Sequence, residues 1–419
     1  MMTLASVPGL MGEVRSRFAH VETCPFSGPR IFFENAGGAL TLKSVVETSA
    51  AFASYPDNQG RDNPASAALM AVISGGRADM RTFFNAPSGQ VFVGESGTEV
   101  LFRLVRTAAL GAAAGGRMIG STLEHPASRG AMAHWAKITA RPHVLVAHDD
   151  ARGGIDAEAY GLEIGPDLRV ASIIHTSPVT GRPVDVGAIA AAIRAAAPEC
   201  LIIVDGIQHA SHGPVDVRAL GIDGYAISPY KVFSRHGYGV GWASDRLTAL
   251  HRETLTGAPV GTWELGTRDA GSYATFSNVV TYFDWLGGHF TAATDRRARL
   301  EVAAKAISSQ EAALAEVMLH GTGNLGGLAT MRGVTIIGGS EGAREGVISF
   351  AMAGLPAAEI VTRLNARGIR THVRKDDYYS GNVLKPLGLA ACVRVSYSHY
   401  NTEAEITQFL AAMHEIAAT

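Results

Sequence analysis

The sequence predicts an α/β fold in which a mainly parallel β-sheet lies between helices. Short apolar segments rich in β-branched residues alternate with longer segments of helical periodicity, which is the pattern of parallel strands joined by crossover helices. The 48 glycines exceed average usage and indicate many tight turns between strands and helices. Ligands of such sheets bind beyond the C-terminal strand ends, so we expect the functional residues at that edge.

The first 242 residues contain most of this alternation. We expect strands at 30–33, 91–93, 117–120, 143–147, 170–175, 201–204 and 225–227. We expect helices at 41–55, 65–84, 99–110, 124–137 and 186–196, the second of them interrupted near Gly75 and Gly76. After the last of these strands, Gly237, Gly239 and Gly241 predict a loop.

The remaining residues predict a smaller α+β domain. Helices are expected at 273–285, 291–319, 357–366 and 402–417, and strands at 334–337, 347–352, 369–373 and 393–396. Thr402 and Glu405 form the capping-box pattern that begins the last helix. The predicted organisation is an N-terminal arm over residues 1–29, a large domain over 30–288 and a small C-terminal domain over 289–419.

Composition argues against several classes of function. The 36 basic and 38 acidic residues give a net charge of −2 without a basic cluster, which argues against nucleic acid or an anionic membrane as the main partner. No apolar run reaches the roughly 18 residues of a membrane span, and the N-terminus lacks a signal-peptide pattern. The three cysteines have no CxxC spacing, so we expect no disulfide framework and no metal site, and a cytoplasmic protein.

An acidic residue and a lysine follow two of the predicted strands. Asp205 ends a fully apolar run, and Lys231 comes shortly after the next one. A lysine that can form a Schiff base with a carbonyl cofactor, and an acid that can hold a ring nitrogen, are the protein's contribution to pyridoxal phosphate (PLP) chemistry. Gly97 and Thr98 open a helix after a strand, where free N–H groups suit a phosphate, although an ordinary N-cap is the simpler interpretation of that segment alone.

Eight sequence blocks follow one another in this order over residues 30–417. They are FFENAGG, GESGTE, LEHPAS, HTSPVTG, VDGIQHASHGPVDV, SPYK, ELGT and VRVSYSHYNTEAEI. With these blocks the chain resembles the cysteine-desulfurase branch of the class V aminotransferases, which are fold type I PLP-dependent enzymes. The resemblance implies a large domain with a seven-stranded sheet, a smaller α+β domain, PLP as the cofactor and a small amino acid as the substrate.

The resemblance also implies roles for individual residues. Lys231 would form the internal aldimine and move the Cα proton of the substrate through a quinonoid, with Asp205 paired to the ring nitrogen. Gln208 would bind the phenolic oxygen, His125 would stack on the ring, and Arg394 would bind the substrate carboxylate. The other residues implied for the cofactor are Gly97, Thr98, Ser228, Tyr230 and Thr267, and those implied for the substrate are Asn35, Ala36, Gly37 and Tyr379. The implied role of the threonine in ELGT is to reach the phosphate of a partner subunit, which would make the protein a homodimer with active sites at the interface.

The chain departs from the desulfurases at residues that bear on the reaction. No cysteine lies between Cys200 and Cys392. If Arg374 is aligned with the family arginine of the mobile loop, Tyr379 stands where the desulfurases have their nucleophilic cysteine. Cys392 lies in an apolar segment, which predicts a buried thiol. Pro178 replaces an asparagine that helps to bind the carboxylate in the family.

We therefore expect a PLP-dependent lyase that does not form a cysteine persulfide. Its reaction would be C–S cleavage, another β-elimination or β-decarboxylation of a small amino acid. A class V aminotransferase or an epimerase on the same scaffold is the alternative, and a degenerate fold with a binding role is a third. The presence of Lys231, Asp205, Gln208 and His125 together argues against the third.

Overall fold

The structure, a computed structural model, describes residues 3–418. The first two residues of the predicted arm and the last residue of the predicted small domain lie outside this range. A seven-stranded sheet forms the centre of the molecule. In chain order its strands are Gln90–Gly94 (β1), Arg117–Ser121 (β2), His143–Val146 (β3), Leu168–Ile174 (β4), Leu201–Asp205 (β5), Gly224–Ile227 (β6) and Gly239–Ala243 (β7).

The spatial order of these strands is β1-β7-β6-β5-β4-β2-β3. Five neighbouring strands, from β6 to β3, pair in parallel. The strand β7 is antiparallel to both of its neighbours, β1 and β6, so these two run in the same direction. The predicted α/β fold with a mainly parallel sheet is confirmed.

Helices cover the sheet and continue into the C-terminal part. Those of nine residues or more are Lys43–Ala53 (α1), Pro64–Phe84 (α2), Gly97–Gly111 (α3), Pro126–Ile138 (α4), Val186–Ala196 (α5), Ala270–Gly288 (α6), Arg296–His320 (α7), Ala357–Asn365 (α8) and Glu403–Ala417 (α9). Shorter helices are Leu10–Ser16, Ala157–Gly161, Val217–Leu220, Asp245–Thr248 and Gly381–Leu384. The predicted capping box of Thr402 and Glu405 is present at the start of α9.

The predicted interruption near Gly75 and Gly76 is wrong, because α2 is continuous over its 21 residues. Gly76 lies where α2 and α6 come closest. A Cβ atom on Gly76 would lie 2.6 Å from the Cβ of Tyr273. The glycine therefore allows close packing of two helices and does not break one.

The predicted loop at Gly239 and Gly241 is also wrong, because both residues belong to strand β7. A Cβ on Gly239 would collide with the backbone of Ser96, and one on Gly241 would lie 2.5 Å from a ring atom of Phe92. Glycine is required here because the start of α3 lies directly against the strand.

A second, four-stranded sheet follows α7. Its strands are Val334–Ile336 (β8), Val347–Met352 (β9), His372–Lys375 (β10) and Ala391–Ser396 (β11), in the antiparallel order β8-β9-β11-β10. The predicted single strand at 369–373 is wrong. Ile369–Arg370 instead pairs in parallel with Ile31–Phe32, and the chain changes sheets at the buried Thr371.

Helix α7 connects the two halves of the molecule. Leu300 and Ile307 belong to the core around the large sheet, whereas Leu314 and Met318 belong to the core around the small sheet. The predicted domain boundaries stay a prediction. Within residues 3–418, no helix combines the length and the apolar character that crossing a membrane requires.

Candidate active site

A cavity opens at the edge of the large sheet where the parallel strands end, and its empty space, including the part open to solvent, is about 390 Å³. The strands β4, β5 and β6 end at this edge, and helices α3 and α4 begin there. Residues from all five elements or the turns beside them therefore meet. They are Thr98, His125, Ile174, Thr176, Pro178, Asp205, Ile207, Gln208, Ser228, Tyr230 and Lys231.

Lys231 ends a short helical turn, Pro229–Lys231, that follows β6. Its Nζ donates a hydrogen bond to Oε1 of Gln208 at 3.4 Å. Burial, together with the charge of Arg394, lowers the pKa of Lys231 to about 8. An amine with this pKa is partly neutral near pH 7, which is the form that attacks a carbonyl carbon.

Asp205 ends β5 with only 3% of its surface exposed. Its Oδ2 accepts a hydrogen bond from the Ser128 hydroxyl at 3.1 Å, and its Oδ1 accepts one from the Ile207 N–H at 3.1 Å. Burial raises the pKa of this carboxyl group. Among the described residues no cationic nitrogen lies within 4.0 Å of it. A buried carboxylate without a cation fits the protonated ring nitrogen of PLP.

A second buried carboxyl group, Glu124, lies behind Asp205. Its Oε1 accepts hydrogen bonds from the Ser121 hydroxyl at 3.1 Å and from the Ile174 N–H at 2.8 Å. Burial, with a contribution from Asp205, raises its pKa to about 8. Glu124 and Ser128 were not predicted as site residues, although both lie within the block LEHPAS that contains His125.

The end of the cavity near α3 has the features of a phosphate site. The Ser96 hydroxyl accepts the Glu99 N–H at 3.1 Å and caps the helix. A Cβ on Gly97 would collide with the Ser228 hydroxyl, so the absence of a side chain brings the helix start next to the end of β6. Thr98 and Ser228 add hydroxyl groups at this positive helix end, and the arrangement fits a phosphate.

His125 lies at the N-terminus of α4. Its Nδ1 accepts the Ala127 N–H at 3.2 Å. Burial, with the charges of Lys231, Arg374 and Arg129, lowers the pKa of His125 to about 3. The imidazole is therefore neutral, and a neutral ring at the cavity fits stacking on an aromatic cofactor.

Arg394 lies on β11, with 4% of its surface exposed. One terminal nitrogen donates to the Pro178 carbonyl at 3.1 Å, whereas Nε has no partner among the described residues. Burial and the charge of Arg374 lower the pKa of Arg394 to about 9. Within residues 3–418 no acidic oxygen lies within 4.0 Å of this guanidinium, which leaves it available for a carboxylate.

Arg374 and the loop after it form the outer wall of the site. Arg374 lies on β10, next to β11, and its Nε donates to the Ser380 hydroxyl at 2.7 Å. The Tyr379 ring lies 6.0 Å from the ring of His125, centre to centre. The loop is attached to the large sheet's helices, because Arg129 donates to the Tyr378 carbonyl at 2.7 Å.

No cysteine lines the cavity. Cys24, Cys200 and Cys392 are all buried. The predicted burial of Cys392 is thus confirmed, and it raises the pKa of the thiol to about 11. A thiol with such a pKa is protonated near neutral pH and is a poor nucleophile.

The remaining predicted residues differ in their placement. Gly37 lies beside the Arg394 guanidinium. A Cβ atom on Gly37 would lie 3.7 Å from a terminal nitrogen of Arg394. The Asn35 amide donates to the Ser396 carbonyl at 2.9 Å, and the Ala36 N–H donates to the Ser396 hydroxyl at 2.9 Å. These two residues therefore hold the segment against β11. Their predicted contact with substrate stays a prediction.

Tyr230 lines the cavity, whereas Thr267 does not. The Tyr230 ring faces the cavity and stacks on the His236 ring, with 4.2 Å between ring centres. Thr267 is exposed and lines a different cavity with Tyr55 and Asn58. The structure therefore does not bring Thr267 to the cavity of its own chain.

Comparison with known proteins gives the family. The family described as "Aminotransferase class-V" matches this chain over residues 31–409. A cysteine desulfurase-like protein, ustD, of Aspergillus flavus is 27% identical over 424 residues, with 96% of this chain and 90% of that protein covered. A probable cysteine desulfurase of Pseudomonas putida is 28% identical over 320 residues, with 72% of each chain covered.

Solved structures show the same fold. The apo cysteine desulfurase of Thermococcus onnurineus has a TM-score of 0.79 at 20% identity, and 93% of this chain and 95% of that chain superpose. The cysteine desulfurase CsdA of Escherichia coli has a TM-score of 0.77 at 23% identity, covering 97% and 98%. The chain belongs to the class V aminotransferase family and is a PLP-dependent enzyme related to the cysteine desulfurases.

Proposed function

We propose that this enzyme is a lyase that breaks a bond at Cβ of a small amino acid without forming a cysteine persulfide. The observation that carries the proposal is that no cysteine lines the cavity. The resemblance supports it, because it aligns Tyr379 with the nucleophilic cysteine of the desulfurases. Candidate reactions are C–S cleavage, another β-elimination and β-decarboxylation. An aminotransferase or epimerase reaction on the same residues is the second candidate.

The residues of the cavity can be given roles in such a reaction. Bound PLP withdraws electrons from the substrate Cα. Lys231 holds the cofactor and then takes and returns the Cα proton at Nζ, a task that suits its pKa of about 8. Asp205 binds the ring nitrogen, and Gln208 and His125 hold the ring from its edge and its face. Arg394 binds the α-carboxylate.

Arg374 supports a lyase over an aminotransferase. Arg374 and Arg394 lie on neighbouring strands, and the charge of each lies close enough to Lys231 to lower its pKa. The Arg374 guanidinium can therefore bind an anionic group on the substrate side chain, or stabilise one that leaves with its electron pair. Transamination requires no such group at Cβ.

We also propose a homodimer in which Thr267 completes the phosphate site of the second copy. The support is that Thr267 is exposed and lies away from its own cavity. Two exposed apolar side chains, Tyr55 and Leu255, line surface cavities together with Thr267. A dimer would remove this apolar surface from water. The cytoplasmic location stays a prediction.

The experiment is a screen of amino acids with the PLP-loaded enzyme, with measurement of keto acid, ammonia, sulfide and carbon dioxide. We expect one substrate to release a β-group while the cofactor stays in its PLP form. Accumulation of pyridoxamine phosphate with an amino donor would contradict the lyase. The Lys231→Ala variant should lose the visible absorbance of the lysine-linked cofactor and about 10⁴-fold in rate.

A matched test concerns sulfur. The double variant Cys200→Ala, Cys392→Ala should keep its activity within a few-fold, because both thiols lie outside the cavity. Loss of sulfide release from cysteine in this variant, with PLP still bound, would show that a thiol takes part and would overturn the proposal.

A further inference from the structure

A chain of buried polar side chains leads away from the cavity behind Gln208. Lys231 donates to Gln208 Oε1 at 3.4 Å, and Gln208 Nε2 lies 3.3 Å from His212 Nε2. His212 Nδ1 lies 2.7 Å from Glu311 Oε2. Glu311 was not predicted as a site residue, and neither His212 nor Glu311 has a role in the proposed reaction.

Glu311 is an unusual residue for its position. It lies in the middle of α7, with 1% of its surface exposed, and its Oε1 has no hydrogen-bond partner among the described residues. His212 is its only ion-pair partner within 4.0 Å there. A buried carboxylate with so few partners destabilises the fold relative to an apolar residue. A role in positioning would explain its presence.

The ring of His212 is fixed in this orientation. A Cβ on Gly346 would collide with Cε1 of the ring, so the backbone before β9 lies directly against it. The charged or titratable groups that face His212 are Glu311 on α7, Glu345 before β9, Lys231 after β6, and His399 after β11. Burial acts to lower the pKa of His212, but the Glu311 carboxylate outweighs it and the pKa is raised.

The proton on His212 decides which end of the Gln208 amide faces the cavity. With a proton on Nδ1 alone, Nε2 accepts from the amide nitrogen, and the amide oxygen faces Lys231. The amide has this orientation in the structure, with Oε1 next to Lys231 and Nε2 next to His212. With both ring nitrogens protonated, Nε2 donates to the amide oxygen, and the amide nitrogen turns to the cavity as a donor.

We infer that His212 and Glu311 form a positioning pair that turns the Gln208 amide, so that it donates to the phenolic oxygen of the bound cofactor. The carboxylate of Glu311 holds the proton on His212 that this orientation needs. The inference rests on the proposed role of Gln208 at the cofactor and is independent of which bond the enzyme breaks. Neither His212 nor Glu311 lines the cavity, so both act through Gln208.

The test is a pH titration of the visible absorbance of the lysine-linked cofactor in the PLP-loaded enzyme. A hydrogen-bond donor to the phenolic oxygen makes that oxygen a weaker acceptor for the proton of the lysine linkage. The pKa of the linkage is therefore lower with the donor than without it. We therefore expect Glu311→Gln to raise the apparent pKa of the band by about one pH unit. Gln208→Leu should raise it equally, and the double variant should raise it no further, because both changes remove one interaction.

Control variants distinguish an effect on the position of Gln208 from a general loss of stability. His209→Gln changes the neighbouring buried histidine, which is bonded to Glu345 and not to Gln208, and it should leave the apparent pKa unchanged. If Glu311→Gln does not fold, His212→Asn should give the same rise. Nitrogen NMR of His212 should find both ring nitrogens protonated with PLP bound and one without it.

Three results would overturn the inference. One is an unchanged apparent pKa in Glu311→Gln or His212→Asn when Gln208→Leu raises it. Another is an additive rise in the double variant. The third is an unchanged apparent pKa in Gln208→Leu, which would also remove the proposed role of Gln208. Failure of the wild-type chain to bind PLP would instead contradict the cofactor itself, so the two failures are distinguishable.

Discussion

The floor and the outer wall of the cavity are built in different ways. The floor consists of Asp205, which ends β5, and Lys231, which follows β6, and both of these strands are fully buried. The wall consists of Arg394 and Arg374, on neighbouring strands of the small sheet, and the loop with Tyr379, whose ring lies 6.0 Å from the ring of His125. In the proposed reaction the floor holds the cofactor, whereas in the wall Arg394 binds the substrate carboxylate and Arg374 and Tyr379 face the substrate side chain. On this proposal the choice of reaction depends on the wall and on Pro178, and not on the floor.

The largest effect is expected when the carboxylate of the floor is neutralised. Asp205→Asn should lower the rate or the PLP affinity by about 10³-fold, because it leaves the ring nitrogen without its buried counter-charge. Absorbance titration with PLP and steady-state kinetics measure this. The matched control is Asp223→Asn at the opposite end of the same sheet, whose carboxylate pairs with Arg194. This variant should lose stability and keep its affinity for PLP.

A substitution in the wall should weaken substrate binding and leave cofactor binding unchanged. Arg394→Ala should raise KM by about 10²-fold, since charge-assisted hydrogen bonds to the carboxylate are lost. Arg344→Ala is the control, because that buried guanidinium binds backbone carbonyls such as that of Ile337 and should affect only thermal stability. An unchanged KM in Arg394→Ala would remove this residue from the substrate site.

The positive charge of Arg394 in the wall should also affect the pKa of Lys231 in the floor. With the pKa of Lys231 at about 8, the rate of linkage between the apo enzyme and added PLP should rise about tenfold per pH unit below that value and level off above it. Arg394→Gln removes a positive charge that lowers this pKa, so the midpoint should move to higher pH. Stopped-flow absorbance measures both. A midpoint near 10 in the wild type, the ordinary range for lysine, would contradict the coupling.

The smallest effect is expected at the tyrosines of the loop. Tyr379→Phe should change kcat by about 2- to 10-fold if its hydroxyl only donates a hydrogen bond to the substrate. Tyr378→Phe, at a side chain that is 69% exposed, should have no effect. An effect above about 10²-fold in Tyr379→Phe would instead make this hydroxyl a proton donor or acceptor in the reaction.

The floor could be predicted from the sequence because local patterns determine it. An apolar run that stops at Asp205, and a second run followed by Lys231, place both residues at one sheet edge once the strands are parallel. Strand β7 was missed because its glycines suggest a loop, and only the contact with Ser96 explains them. Glu311 was missed because it lies in an otherwise ordinary helical pattern. Its burial is decided by the packing of α7 across two cores.

The position of β7 has a consequence for how the enzyme is made. Strands β1 and β6 run in the same direction and do not pair with each other; β7, the last of the seven to be synthesised, lies between them and pairs with both. Gly97 and Ser228 come together only across this strand. We therefore expect a nascent chain that ends before residue 243 to lack a phosphate site, however well its earlier strands have paired. Cofactor loading should then be a late event that reports completion of the sheet.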